Sequence, residues 1–415
     1  MKNIRILLAT LLCFFTLQAQ SNNEDIEISV LTCSPGQEVY SYYGHTAIRY
    51  KDIANSIDLV FNYGVFNFNT DYFIWKFVLG ETDYLCIASP WDYFIQEYKE
   101  RGSNVIAQVL NTTPEEEKNF KEYLFNNIKP ENSTYRYNFL TDNCTMRVLD
   151  CVERCIEGEI NYSWDNKQHT YRQILHEYTK EYPWAKEGND FLLGANVDTI
   201  LSHRATCFIP EYYNRAIENA VIRNDFQDTR NLVQESIIFE AHPTSTTIHG
   251  SDNTSPLKPT ELGWFIFSIG ILILIIETLT HKVLWVLDLF LMLLHGVAGC
   301  LILFVFLFSQ HPTLDSNWLV CVINPLPLIL LPFITKSAWK KQVNFWHHVL
   351  ALWMIVFLLF IPWIPQEISL FTILLLATLL SRQVSYLINY SFFTSGFKKK
   401  NISKRQNKAS KKNKR

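Results

Sequence analysis

Cys144, preceded by Asn143, opens a stretch in which Leu149, Val152 and Ile156 recur at helical spacing beside Val148, Cys151 and Cys155. The pattern predicts a helix from near Asp142 to about Glu157, with Thr141 or Asp142 as its cap and the thiol in its first turn. A helix N-terminus supplies partial positive charge and free N–H groups that favour a thiolate. A nucleophilic thiolate needs a partner that takes its proton and later returns it to a leaving group, which histidine does best near neutral pH. His45, in Tyr43-Gly44-His45-Thr46-Ala47-Ile48, follows a glycine and begins a strand-like run that fixes its ring direction. His169, His176, His203, His242 and His249 lie in helical, loop or linker contexts. If 46–51 and 57–62 form an antiparallel hairpin, Asn62 or Tyr63 returns beside His45, and the Asn62 carboxamide can accept the ring N–H. Asn62 fits equally well as a turn residue ahead of Gly64. Arg147 and Arg172 are candidates for a phosphate or carboxylate contact, although structural ion pairs are the commoner fate of such arginines. Tyr43 and Tyr63 are candidate substrate contacts.

The elements that must hold these residues follow from pattern. Alternation and β-branched or aromatic enrichment predict strands over 26–32, 45–51, 57–65, 84–88 and 104–110. Thr113-Pro114-Glu115-Glu116 predicts a helix start running to about Asn127. Strands followed by helices imply an α+β domain.

Lys2 and Arg5 ahead of the apolar run 6–17 read as a signal peptide over 1–20, so the domain over 21–235 is expected outside the cytoplasm. A Ser-, Thr- and Pro-rich linker is expected over 236–261, a transmembrane domain over 262–392 and a basic tail over 393–415. Five apolar segments, 262–280, 284–308, 317–335, 346–364 and 368–391, have the length that spans a hydrocarbon core. An exported N-terminal domain and five spans put the C-terminal tail in the cytoplasm. Lysines 282, 336, 340 and 341 fall in the loops this topology makes cytoplasmic, and the outer loops 309–316 and 365–367 carry no Lys or Arg.

The tail from 397 to 415 holds ten basic residues and no acid, leaving the rest of the chain at about −13, with 27 basic against 40 acidic residues. A basic run after a last span anchors on anionic lipid, so no nucleic-acid partner is expected. The chemistry requires no cofactor and no metal. Cys151 and Cys155 are one helical turn apart, and no second close Cys/His pair accompanies them at zinc-site spacing. A disulfide among Cys33, Cys86 and Cys207 is left open. Within the spans, Asp288 and His295 share a face of the second, and Arg382 lies in the fifth at a depth similar to His295, so the two could face one another. Pro325 and Pro327 are expected to bend the third.

The order of an early His and a later Asn-Cys helix start resembles the circularly permuted NlpC-like papain fold, which includes the lecithin:retinol acyltransferase group. Six blocks, Cys33-Ser-Pro-Gly36, Tyr43-Gly-His-Thr-Ala-Ile-Arg49, Phe61-Asn-Tyr-Gly-Val-Phe66, Phe77-Val-Leu-Gly-Glu-Thr-Asp-Tyr84, Tyr137-Asn-Phe-Leu-Thr-Asp-Asn-Cys-Thr145 and Leu192-Leu-Gly-Ala-Asn-Val-Asp198, resemble the Bacteroidetes lipoprotein N-acyltransferase (Lnb-type) family. Met146 departs from that resemblance, standing where a small hydroxyl residue is expected. The resemblance implies a phospholipid acyl donor, a thioester on Cys144, and as acceptor the α-amino group of a lipoprotein's lipid-modified N-terminal cysteine, at a bacterial inner membrane. The alternatives are a membrane-anchored NlpC-like cysteine peptidase acting on cell-wall peptides, and a non-catalytic sensing or scaffolding ectodomain with an inert Cys144.

Overall fold

The computed structural model describes residues 26–66, 71–224, 228–241 and 257–390. The expected signal peptide, much of the expected linker, His242, His249 and the basic tail lie outside the described residues. In chain order the first elements are β1 (Ile26–Cys33), β2 (His45–Asp52), β3 (Ile57–Val65), α1 (Phe73–Leu79), β4 (Asp83–Pro90), α2 (Trp91–Glu100), β5 (Val105–Leu110), α3 (Pro114–Asn127), β6 (Thr134–Arg136), α4 (Cys144–Cys155) and β7 (Glu159–Asn161). There follow α5 (Tyr171–Tyr178), α6 (Pro183–Leu192), α7 (His203–Thr206), α8 (Pro210–Glu218), β8 (Val221–Arg223), β9 (Thr229–Asn231) and β10 (Val233–Phe239). The apolar helices are α9 (Pro259–Thr280), α10 (Trp285–Phe308), α11 (Leu326–Trp339), α12 (Phe345–Phe360) and α13 (Leu370–Tyr390). The described residues thus form an α+β domain followed by five spans long and apolar enough to cross a membrane, the third taking in the 3-10 turn ahead of α11 (Trp318–Trp339) and the fourth running on to Trp363.

Two compact units form. The first takes the chain up to Asn67, Asp83–Asn166 and Cys207–Ile248. Its main sheet runs β10-β5-β1-β2-β3-β4-β6, with every neighbouring pair antiparallel. Period-two alternation gives the central strands two buried faces. Ile28, Val30, Ile48, Tyr50, Phe61 and Tyr63 meet Phe120 and Leu124 of α3 and Val148, Leu149 and Val152 of α4. On the other face Leu31, Cys33, Ala47 and Val60 meet Phe94, Ile95 and Tyr98 of α2. Each large apolar side chain so buried contributes about 1.5–3 kcal/mol, and the histidine strand is held from both sides. A second sheet, β7-β8-β9, completes the unit. The edge strand β10 pairs with β5 and runs across the junction expected at 235/236. Of the cysteines left open for a disulfide, Cys33 and Cys86 carry free thiols, and Cys207 is buried as they are.

The second unit takes Phe68–Thr82, Lys167–Thr206 and His249–Arg415, so two segments of the expected exported domain pack with the apolar helices. The second of these segments is held by the first residue of the expected third span and by the expected outer loop 365–367. Asn317 Nδ2 donates to the Phe191 and Leu192 carbonyls at 2.9 and 3.0 Å, and Gln366 Nε2 donates to the Leu193 carbonyl at 3.1 Å.

The third span is interrupted rather than bent. A 3-10 turn at Trp318–Cys321 ends, and α11 restarts with Pro325 as its cap and Pro327 in its first turn, positions that need no N–H donor. Asn324 bridges the break, accepting from the Leu326 N–H at 3.0 Å and donating to the Cys321 carbonyl at 2.9 Å. Gly299 of α10 packs there so closely that a Cβ would lie 2.1 Å from the Asn324 carbonyl carbon.

Arg382 does not face His295. Its Nε donates to Asp288 and its Nη2 to Glu277, both at 2.7 Å, whereas His295 Nε2 donates to the Val322 carbonyl at 2.9 Å. In an apolar bundle a guanidinium is held by carboxylates, and a neutral imidazole suffices for a carbonyl freed at the helix break.

Candidate active site

The helix carrying Cys144 begins one or two residues later than the pattern suggests. Asn143 is the cap, its Oδ1 accepting from the Met146 N–H at 2.9 Å, so Cys144 is the first helical residue. Asp142 is unavailable because its carboxylate is engaged by Arg147. Asn143 Nδ2 donates to the Phe139 carbonyl at 2.9 Å and the Phe208 carbonyl at 2.6 Å, which fixes the helix entry against two other segments. At Met146, the departure from the resemblance, the first-turn contact is made by the backbone N–H, whose hydrogen bond the Asn143 side chain accepts.

His45 is the first residue of β2 and pairs with Cys33 at the end of β1. Ala47 lies directly opposite Asn62, so Asn62 is the diagonal neighbour of His45 on the same sheet face. His45 Nε2 and Asn62 Oδ1 are 3.2 Å apart, and Asn62 Nδ2 donates to Ser89 at 3.3 Å. With Nε2 turned to Asn62, the other ring nitrogen is left for the thiol, and imidazole and thiol are hydrogen-bond neighbours. Tyr98 from α2 stacks on the imidazole, with centroids 6.3 Å apart and planes 10° apart.

α4 approaches from the other sheet face. Thr145 Oγ1 and Thr46 Oγ1 meet at 3.1 Å, joining the first turn of the helix to the residue after His45. Between Asn62 and Val65 the β3–β4 register shifts, and Gly64 sits in that irregularity at φ +85°. A Cβ at Gly64 would lie 3.1 Å from the Tyr137 ring and 3.9 Å from Cys144 Cβ, so glycine is required by conformation and by space beside the thiol.

Burial alone pushes the Cys144 thiol up. The His45 imidazole, by charge and hydrogen bond, and the Thr46 N–H and Thr145 hydroxyl outweigh it, so the net shift is downward. Burial likewise pushes His45 down, but the Cys144 charge and hydrogen bond, with Asn62, bring it above its ordinary value. The opposed shifts favour a thiolate–imidazolium pair. Elsewhere in this unit burial dominates, raising Cys33 and Cys151 well above the ordinary thiol range and Cys86 to about 12. As in any helix, the N–H groups of the first turn lack intrahelical partners, and the Asn143 side chain takes that of Met146.

The structure therefore brings Cys144, His45 and Asn62 together. It does not bring the two arginines to them as free anion binders. Arg147 forms a two-point pair with Asp142 at 2.5 and 2.6 Å and lies 4.1 Å over the Tyr135 ring. Arg172 belongs to the second unit, 1% exposed, donating to Asp198 at 2.7 Å, Asp190 at 2.9 Å and the Leu193 carbonyl at 3.0 Å. Tyr43 packs its ring on Phe139 at 4.8 Å. Tyr63 is buried in the core on the sheet face opposite Asn62, which removes it as a substrate contact. Pattern reading missed Thr46, Thr145 and Tyr98 as neighbours of the pair. Thr46 and Thr145 each adjoin a named residue and were open to suspicion, whereas Tyr98 arrives from another helix and carries no sequence signal.

A capped helix presents a thiol to a strand-borne imidazole with a carboxamide behind it, on a chain whose described residues hold five spans of membrane length. A family model for the Lnb N-terminal periplasmic domain matches residues 14–177, and one for the Lnb transmembrane domain matches residues 251–391. The chain belongs to the Lnb family and is a multi-pass membrane protein with an N-terminal periplasmic domain. That membership suggests a membrane-bound lipoprotein-modifying enzyme. A stretch of 108 residues, 25% of this chain, is 28% identical to mitochondrial translation factor 2 of Saccharomyces cerevisiae and spans 23% of that protein's length. No solved structure matches.

Proposed function

We propose that the chain is an inner-membrane lipoprotein N-acyltransferase that moves an acyl chain from a phospholipid, through a thioester on Cys144, to the α-amino group of a lipoprotein's lipid-modified N-terminal cysteine. The observation that carries this reading is the Cys144 thiol at the start of a capped helix beside His45, which Asn62 holds, in a chain of the Lnb family. The Cys144 thiolate attacks the ester carbonyl, and first-turn N–H groups hold the oxyanion. Collapse breaks the ester C–O bond as the imidazolium gives its proton to the departing lysophospholipid, leaving an acyl thioester and neutral His45. The acceptor amine attacks the thioester, His45 takes its proton, and C–S cleavage returns thiolate and imidazolium with an amide formed. Asn62 holds the imidazole throughout as a positioning residue.

The spans tether this chemistry to the bilayer in which both lipid substrates reside, which raises their effective concentration. In this reading the tail over 393–415 is cytoplasmic.

The test is the intact mass of a reporter lipoprotein's N-terminal peptide, from cells lacking any other N-acylating enzyme, with the wild-type chain or Cys144→Ala. One added acyl chain with wild type only is expected. Equal masses would overturn the reading, and release of peptide fragments from muropeptides would then favour the cell-wall peptidase.

A further inference from the structure

The segment between β3 and β4 carries a helix that neither the catalytic chemistry nor the five spans account for. α1 reads Phe-Ile-Trp-Lys-Phe-Val-Leu, and with Tyr72 before it exposes four large apolar or aromatic side chains: Tyr72 and Ile74 are each 76% exposed, Trp75 59% and Phe77 51%. So dense an exposed patch on one short helix marks an interaction surface.

The helix is pinned to the end of the second span, in the same compact unit. Its last carbonyls, which a helix leaves unsatisfied, are taken by the residues that follow α10. Ser309 Oγ donates to the Val78 carbonyl at 2.9 Å, the Gln310 N–H to the Leu79 carbonyl at 2.7 Å, and His311 Nε2 to the Phe77 carbonyl at 2.9 Å. Gln310 Nε2 also donates to Glu81 at 3.1 Å. Toward its other end the Trp75 ring meets Phe304 at 5.9 Å, and Phe304 meets Phe308 at 5.2 Å. Phe304 lies four residues inside the end of α10, about 6 Å at 1.5 Å per residue. The C-terminus of α1 is therefore held at the polar end of the span, and its N-terminal turn descends alongside the span's apolar surface.

That surface is itself lipid-facing, with Leu301, Leu307 and Phe308 more than half exposed. Trp75, through its ring contact with Phe304, joins the exposed apolar face of α1 to it. The geometry points to the acyl chains of the outer leaflet as the occupant: α1 is a shallow membrane-inserted helix, with aromatic rings at the depth where amphipathic rings anchor proteins. Along the chain, α1 lies eight residues after Val65 and four before Asp83, the strand ends that flank it, so the β3–β4 connection is lipid-bound at its midpoint. This inference does not depend on the chemistry at Cys144.

The experiment places the photoreactive residue p-benzoylphenylalanine at position 74, 294 or 93 of the full-length chain in native membranes, followed by mass analysis of the crosslinked peptides. Leu294, exposed on α10, is the lipid-facing control, and Tyr93, 74% exposed on α2, is the control outside the spans. Phospholipid adducts at positions 74 and 294, at least tenfold above position 93, are expected. Adducts at 294 with none at 74, or protein crosslinks to a second copy or another chain at 74, would overturn the proposal. Repeating the measurement at Trp75 guards against a local disturbance from the probe, and the absence of lipid adducts from both positions 74 and 75 would equally overturn it.

Discussion

Cys144 owes its ionisation to neighbours that arrive from different elements: His45 from the start of β2, Thr46 beside it, and Thr145 from its own helix. The thiol's pKa is lowered, so thiolate is present below the ordinary thiol value of about 8.5 and is lost only as pH falls through the lowered value. Alkylation of the Cys144 peptide by iodoacetamide, followed against pH, should show that early onset. In His45→Ala the burial remains and the compensating charge is gone, so the midpoint should move above the ordinary thiol value, and coincident profiles would contradict the electrostatic account. The choice between Asn62 and Tyr63 was legible only in part. Hairpin pairing put both near His45, and alternation, once the register of Ala47 with Asn62 is known, sends Asn62 to the imidazole and Tyr63 to the opposite core.

At the scale of elements, the strands with a full alternation of apolar residues were readable to within a residue or two, as was α3 from its capping sequence. The three-residue strands β6, β7, β8 and β9 are too short to carry a period, and β10 is defined by its long-range pairing with β5. The start of α4 turned on one side chain. Thr141 and Asp142 are as good caps as Asn143 by residue type, and the structure selects Asn143 because it also reaches the Phe139 and Phe208 carbonyls. Asn143→Ala should therefore cost more than the ~1 kcal/mol of a simple cap, on the order of 2–3 kcal/mol, because the hydrogen bonds to the Phe139 and Phe208 carbonyls go with it. It should also raise the Cys144 alkylation midpoint. Chemical denaturation and the alkylation profile would measure the two effects, and a change under 0.5 kcal/mol, roughly the size of a neutral surface substitution, would refute the role assigned to this cap.

At the scale of the molecule, hydropathy located the five spans, but not how they turn toward one another. Lipid-facing and bundle-facing positions are both apolar, so depth alone suggested His295 as the neighbour of Arg382, and Glu277, near the end of α9, was overlooked. Arg382, Glu277 and Asp288 form one buried network across three helices. Arg382→Leu should leave two buried carboxylates without a counter-charge and destabilise the bundle by about 3–5 kcal/mol. Thermal unfolding in detergent would read this as a fall in Tm, and an unchanged Tm would show that the network is dispensable.

The central claim, a thioester on Cys144, is tested most directly by incubating the purified full-length protein with a phospholipid carrying a labelled acyl chain and no acceptor. The account predicts a hydroxylamine-labile acyl group on the Cys144 peptide, one per chain, absent from Cys144→Ala and discharged when an amine acceptor is added. Label found on another residue, or acyl transfer to the acceptor persisting in Cys144→Ala, would contradict it.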